Sequence, residues 1–156
     1  MINKLVVYYT HSQNTAKLAK IIASEVSADL VEIIPQNAYP REYGAVVNQA
    51  KQEIRQNYRP ELITNPDINK YDVIFVGTPN WWSTMAPPIA TFLEAHDFAS
   101  KIVVPFATHG GGGFGHIEAD VEKLVPNAKV LAGFASYGSS ANKSVVQKWL
   151  KSINLA

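Results

Sequence analysis

The chain has 156 residues, 47% of them apolar, and 14 basic against 13 acidic side chains leave a net charge of +1. A single domain of that length removes about two-thirds of its unfolded surface from water, and the balance of charge gives no electrostatic footprint for nucleic acid or for docking by strong acidity. No cysteine is present, which excludes disulfides, thiol nucleophiles and cysteine-held metal or iron–sulfur centres, so any redox chemistry needs a bound cofactor.

Apolar runs rich in β-formers alternate with stretches whose apolar residues recur every three or four positions, the pattern of an α/β domain. The first predicted strand covers 5–9, a nearly continuous apolar run suited to a parallel strand covered on both faces. A helix follows with Leu18, Ile21, Ile22 and Val26 on one side. A second strand at 30–34 stops at Pro35, and further strands are predicted at 73–76, 102–105 and 130–134. Helices between and after them carry Ile89, Phe92 and Leu93, then Ile117, Val121 and Leu124, then Val145, Val146, Trp149, Leu150 and Ile153. Right-handed crossovers wind such helices onto both faces of one five-stranded parallel sheet, giving a single domain over 1–156.

Residues 36–66 exceed the few loop residues plus a helix that the connection requires. Val46, Val47, Ala50 and Ile54 predict a helix there, and the segment is expected to be a surface excursion packed on the sheet rather than a substrate lid. The N-terminal apolar stretch is too short for a signal-peptide core and no run approaches about 18 apolar residues, so a cytoplasmic protein with no membrane contact is expected. His11, His96, His109 and His116 lack the paired spacing of a metal site, and none is expected. The carboxyl-terminal third is basic through Lys123, Lys129, Lys143, Lys148 and Lys151, but no exposed aromatics interleave them, so nucleic acid is not an expected partner.

Three loops carry chemistry. After the first strand, Thr10-His11-Ser12-Gln13-Asn14-Thr15 has five hydroxyl or amide side chains in six positions. Helix capping by Ser12 or Asn14 accounts for one of them. The rest suit a nest in which backbone N–H groups, side-chain donors and the helix dipole surround one phosphate. After the third strand comes Gly77-Thr78-Pro79-Asn80-Trp81-Trp82, where adjacent tryptophans call for a flat ligand or a protein surface to cover them. After the fourth, Thr108-His109-Gly110-Gly111-Gly112-Gly113-Phe114-Gly115 matches G-x-G-x-x-G formally. No acidic residue follows at the spacing a dinucleotide ribose requires, so the glycines indicate either a flexible loop or close backbone approach to a ligand.

With these motifs the chain resembles the flavodoxin family over its whole length in element order, and within it a subgroup carrying Pro-Asn-Trp-Trp. The resemblance implies a flavodoxin-like doubly wound sheet of order 2-1-3-4-5 with the three loops meeting at its switch point. It implies one FMN, with Thr10, Ser12, Asn14 and Thr15 on the phosphate through side chains and the backbone of 11–15 completing the nest. Gln13 stands where many relatives have glycine and would contribute its backbone; His11 would point outward. Pro79, Asn80, Trp81 and Trp82 would surround the isoalloxazine, with Asn80 bonding a flavin heteroatom. Thr108, Gly110, Gly111 and Gly112 would serve the pyrimidine edge, with Phe114 near the ring. The glycine-free loop at 78–88 leads to the expectation that the one-electron form of the flavin is weakly stabilised. The implied role is electron transfer, either between redox partner proteins or from NAD(P)H to a small acceptor such as a quinone; a flavin-free binding module is the remaining alternative.

Overall fold

The computed structural model describes residues 2–156. In chain order its elements are β1 (Lys4–Tyr8), α1 (Asn14–Val26), β2 (Asp29–Glu32), α2 (Tyr43–Arg55), β3 (Val73–Pro79), α3 (Pro87–Glu94), β4 (Ile102–His109), α4 (Ile117–Leu124), β5 (Lys129–Val130), β6 (Phe134–Tyr137) and α5 (Lys143–Ser152). All pairings between strands are parallel, in the order β2-β1-β3-β4-β5, with β6 also on β4. The predicted doubly wound fold and its order 2-1-3-4-5 are therefore correct. Among the described residues no helix is long and apolar enough to cross a membrane.

Side-chain alternation along the buried strands β1, β3 and β4 feeds two cores. Val6, Phe75, Val104 and Phe106 pack with α1 and α5 through Leu18, Ile22, Val146 and Trp149. Leu5, Val7, Ile74, Val76, Val103 and Ala107 pack on the other face with Ile89, Phe92, Leu93, Ile117 and Val121 of α3 and α4. Helix starts are set locally. Glu42 caps α2 by accepting from the N–H groups of Gly44 and Ala45, Asn142 caps α5 through Val145, and α3 opens on two prolines whose missing N–H groups cost a first turn nothing.

Two predictions of extent are corrected. Strands three and four run on to Pro79 and His109, because Thr78, Pro79, Thr108 and His109 keep pairing in register even though they look like loop residues. The fifth strand, predicted as one piece at 130–134, is broken into β5 and β6. The break lies beside Pro105, which has no N–H to give to a neighbour. Its polar groups are met from elsewhere: Gly133 N–H donates to Glu118 Oε2 at 2.8 Å and the Trp149 indole N–H donates to the Ala132 carbonyl at 3.0 Å. β6 then rejoins β4 with Ser136 opposite Thr108 and Tyr137 opposite His109.

Gly133 is held to glycine by contact, since a Cβ there would lie 2.4 Å from the Pro105 carbonyl oxygen and 2.5 Å from the Phe114 ring. A Cβ on Gly110 meets nothing within 4 Å. Gly133→Ala is expected to destabilise the fold by about 1–3 kcal/mol through overpacking, while Gly110→Ala leaves stability within about 0.5 kcal/mol. Urea denaturation of the two variants beside the parent chain checks the contrast.

Candidate functional site

The first loop leaves β1 with Tyr9 N–H bonded to the Gly77 carbonyl at 3.1 Å and Lys17 N–H to the Gln13 carbonyl at 3.1 Å. Gln13, at the N-cap of α1, sits in the left-handed region, φ 73°, and its own side chain makes no cap bond. The position where glycine is usual therefore keeps a left-handed turn with an ordinary side chain, which glutamine adopts at some conformational cost. Among the described residues no protein acceptor meets the backbone N–H groups of His11, Ser12, Gln13, Asn14 or Thr15. Free donors at a helix start, reinforced by its dipole, form a receptor for an anion. His11 does not point outward as expected: it is half-buried, its Nε2 lies 2.8 Å from the Pro40 carbonyl oxygen, and its ring meets Trp81 edge to face.

Among the described residues the five buried polar side chains are Thr10, Thr15, Thr78, Thr108 and Ser136. All are hydroxyl residues at the carboxyl edge of the sheet or in the first turn of α1, and none is left without a partner. Thr15 Oγ1 and Thr108 Oγ1 are 2.7 Å apart, so one donates and the other keeps its hydrogen for a further acceptor. Thr10 Oγ1 accepts from Ala16 N–H at 3.3 Å and retains its own hydrogen. Thr78 is spent on structure, donating to the Pro79 carbonyl and accepting from Ala86 N–H.

In the second loop the two tryptophans part company. Trp81 stands edge to face with Tyr9 and Tyr39, ring centroids 5.5 Å and 5.0 Å away. Trp82 is 50% exposed, donates from Nε1 to the Val47 carbonyl at 3.0 Å and lies under Lys51 Nζ. Between Trp81 and Thr84, which exchange two backbone hydrogen bonds, Trp82 and Ser83 both adopt positive φ, 56° and 68°. Such a two-residue turn normally recruits glycine or asparagine. Here contacts impose it: Ser83 N–H donates to Asn80 Oδ1, His116 N–H donates to the Ser83 carbonyl at 2.6 Å, and Gly115 lies so close that a Cβ would be 2.7 Å from that oxygen.

Asn80 is the hinge pin between the second and third loops. Its N–H donates to the Thr108 carbonyl and its Nδ2 to the Gly113 carbonyl at 2.9 Å. Gly110 and Gly111 are exposed, with open space where Cβ atoms would be; a Cβ on Gly112 would lie 3.4 Å from Asn80 Nδ2. Phe114 turns away from this edge, into the space beside Gly133 and the α3–α4 face of the sheet.

The segment 36–66 packs on the sheet through Tyr39, Val46 and Leu62, as expected, and it also walls these loops. Tyr39, Pro40, Val47 and Lys51 supply the contacts to Trp81, His11 and Trp82. Tyr39 donates to Glu53 at 2.5 Å. Burial, then the bond to Glu53, push the Tyr39 hydroxyl pKa far above its ordinary value, and burial followed by Glu53 charge does the same to Tyr9. Both remain neutral hydroxyls. The structure thus gathers Thr10 to Thr15, Pro79, Asn80, Trp81 and Thr108 to Gly112 at one edge, while Trp82 faces α2 and Phe114 faces the core.

Sequence reasoning missed Tyr9, Tyr39 and the turn after β6, Gly138-Ser139-Ser140. That turn is tied to the site by Gly138 N–H on the His109 carbonyl and by Lys17 Nζ on the Ser139 carbonyl, at 2.8 Å and 2.6 Å. Its run of hydroxyls and glycine is a signal of the same kind as the first loop, hidden by placing the last strand too early.

A protein-family model described as Flavodoxin matches residues 3–153. A solved structure from Bacteroides eggerthii DSM 20697 is 29% identical with a TM-score of 0.87, over 97% of this chain and 98% of that one. A flavoprotein from Lactobacillus acidophilus NCFM, solved in complex with FMN, is 27% identical with a TM-score of 0.75, over 96% and 99%. Oxidised Flavodoxin 1 from Bacillus cereus, at 15% identity, shares the fold with a TM-score of 0.64 over 98% and 95%. Among curated proteins none matches this chain.

Asn80→Ala removes the side-chain bond that joins the second and third loops and the one that holds Ser83 N–H within the second, and is expected to cost about 1–3 kcal/mol, with faster amide exchange at Ser83. Trp82→Phe loses only the bond to Val47 and is expected to leave Ser83 exchange unchanged. Native-state hydrogen exchange reads both.

Proposed function

We propose that this chain, which belongs to the flavodoxin family, binds one FMN non-covalently at the carboxyl edge of its sheet and uses it to transfer electrons. The observation that carries the reading is the row of unpaired N–H groups from His11 to Thr15 at the start of α1. A terminal phosphate is the group that such a row takes without a lysine. The FMN complex of the Lactobacillus acidophilus flavoprotein, a relative of nearly the same length, supports the assignment.

The donor set fits the cofactor along its length. The N–H groups of 11–15, with the spare hydroxyl hydrogens of Thr10 and of the Thr15–Thr108 pair, hold the phosphate oxygens. Trp81, braced by Tyr9, Tyr39 and His11, forms a rigid wall for a flat ring. Backbone groups of Gly110 to Gly112 serve the ring edge, and Gly110 and Gly111 leave room for close approach because no side chain intervenes. Asn80 spends its carboxamide on Gly113 and Ser83, so its role is to fix the two loops against each other. When bound, the flavin supplies the reversible uptake of electrons; the protein supplies binding, orientation and electrostatics. Electron partners are other redox proteins, or NAD(P)H with a small acceptor.

Calorimetry is expected to show tight binding of FMN and much weaker binding of riboflavin, which lacks the phosphate. Asn14→Ala and Thr15→Ala are each expected to weaken FMN by about 1–3 kcal/mol with the fold intact by circular dichroism. Equal affinity for FMN and riboflavin, or folded variants with full FMN affinity, overturns the phosphate assignment. A colourless protein that takes up no flavin leaves the binding-module alternative. With the loaded protein, oxidation of NADH or NADPH in the presence of a quinone panel identifies a reductase. Exchange with protein donors alone identifies a carrier.

A further inference from the structure

Resting on that reading of the site, we propose that His109 is a flavin-binding residue whose Nε2–H donates to an acceptor atom on the edge of the isoalloxazine ring.

Alternation along β4 sends neighbouring residues to opposite faces. Thr108 turns toward α1, where its hydroxyl meets Thr15 at the phosphate end. Val103 and Ala107 belong to the other face, in the core against which Trp81 packs, and His109 continues their parity. Two adjacent residues at the end of one strand thus leave it on opposite faces, Thr108 toward the phosphate end beside α1 and His109 away from it.

The imidazole is fixed in place and in tautomer. Gly111 N–H donates to His109 Nδ1 at 3.0 Å. A neutral ring that accepts at Nδ1 carries its hydrogen on Nε2. Tyr137, opposite His109 in the β4–β6 register, stands edge to face with the imidazole, centroids 5.7 Å apart at 83°. The His109 carbonyl is held by Gly138 N–H. Among the described residues Nε2 has no protein acceptor, so the ring presents one oriented, unused donor beside the glycine loop. A flavin ring edge offers carbonyl oxygens and ring nitrogens as acceptors; a phosphate would instead be served from the Thr108 side. The glycine run therefore has a second use, because an N–H at position 111 with φ 130° aims back at Nδ1 in a conformation that only glycine adopts readily.

The placement predicts a signature that separates His109 from the nest. Substitutions in the first loop weaken FMN alone, whereas His109→Ala is expected to weaken FMN and riboflavin by the same factor, about five- to tenfold for one lost hydrogen bond. His109→Gln, which carries an amide N–H at a similar reach, is expected to recover part of the loss. Fluorescence titration of both ligands against parent and variants, with circular dichroism to confirm folding, reads the ratios. Nitrogen-15 spectra of the ligand-free chain are expected to show the Nε2–H tautomer at His109, with Nε2 shifting on addition of riboflavin. Loss confined to FMN, no loss for either ligand, or an Nδ1–H tautomer overturns the proposal. A parent chain that binds neither ligand overturns the cofactor reading itself, and is recognised before any substitution is made.

Discussion

Thr15 in the first turn of α1 and Thr108 near the end of β4 place their hydroxyl oxygens 2.7 Å apart, both nearly sealed from water. A buried hydroxyl without a partner costs on the order of 1–3 kcal/mol, so each residue holds the other in position. The consequence reaches beyond the pair. α1 is registered against the sheet at the level where β4 gives way to its loop, and the free N–H groups of 11–15 are thereby set beside the glycine-rich turn. Replacing either threonine by an apolar residue would leave the other buried and unpaired, and would loosen the alignment of α1 with the end of β4.

Around that fixed point the loop after β3 is built by constraint rather than by preference. Trp82 and Ser83 occupy left-handed conformations that their side chains disfavour. Asn80, His116 and Gly115 hold the turn from one side and Val47 holds it from the other through the Trp82 indole. A loop bound at so many points is pre-formed. Pre-formation lowers the conformational cost of binding a flat ligand, because little remains to be ordered. Trp81 benefits most directly, standing among three other rings while its neighbour serves as the anchor.

The segment 36–66 links the first and second loops. Pro40 receives His11 from the first loop, and α2 receives Trp82 from the second. Its length, which exceeds what a crossover needs, is explained by this wall and by Tyr39, whose ring closes on Trp81 and whose hydroxyl is satisfied by Glu53. A change in α2 is thus felt at both loops even though α2 contributes little to either core.

The sequence by itself determined the α/β class, the helices and the order of the elements, because burial on two faces demands apolar runs and burial on one demands a period of three to four. It also located the three loops, since hydroxyls, paired tryptophans and consecutive glycines cannot all be disposed of in a core. What it could not determine is where a strand ends when its last residues are polar. Thr78, Thr108 and His109 pair as strand because neighbours lie in register beside them, and that depends on contacts about 30 residues away along the chain. The split of the last strand came from Pro105 and Gly133 meeting across two strands, a proximity with no local trace. The division of labour between Trp81 and Trp82 and the inward turn of Phe114 were likewise settled only when distant segments came together, because a side chain's direction follows from what surrounds it.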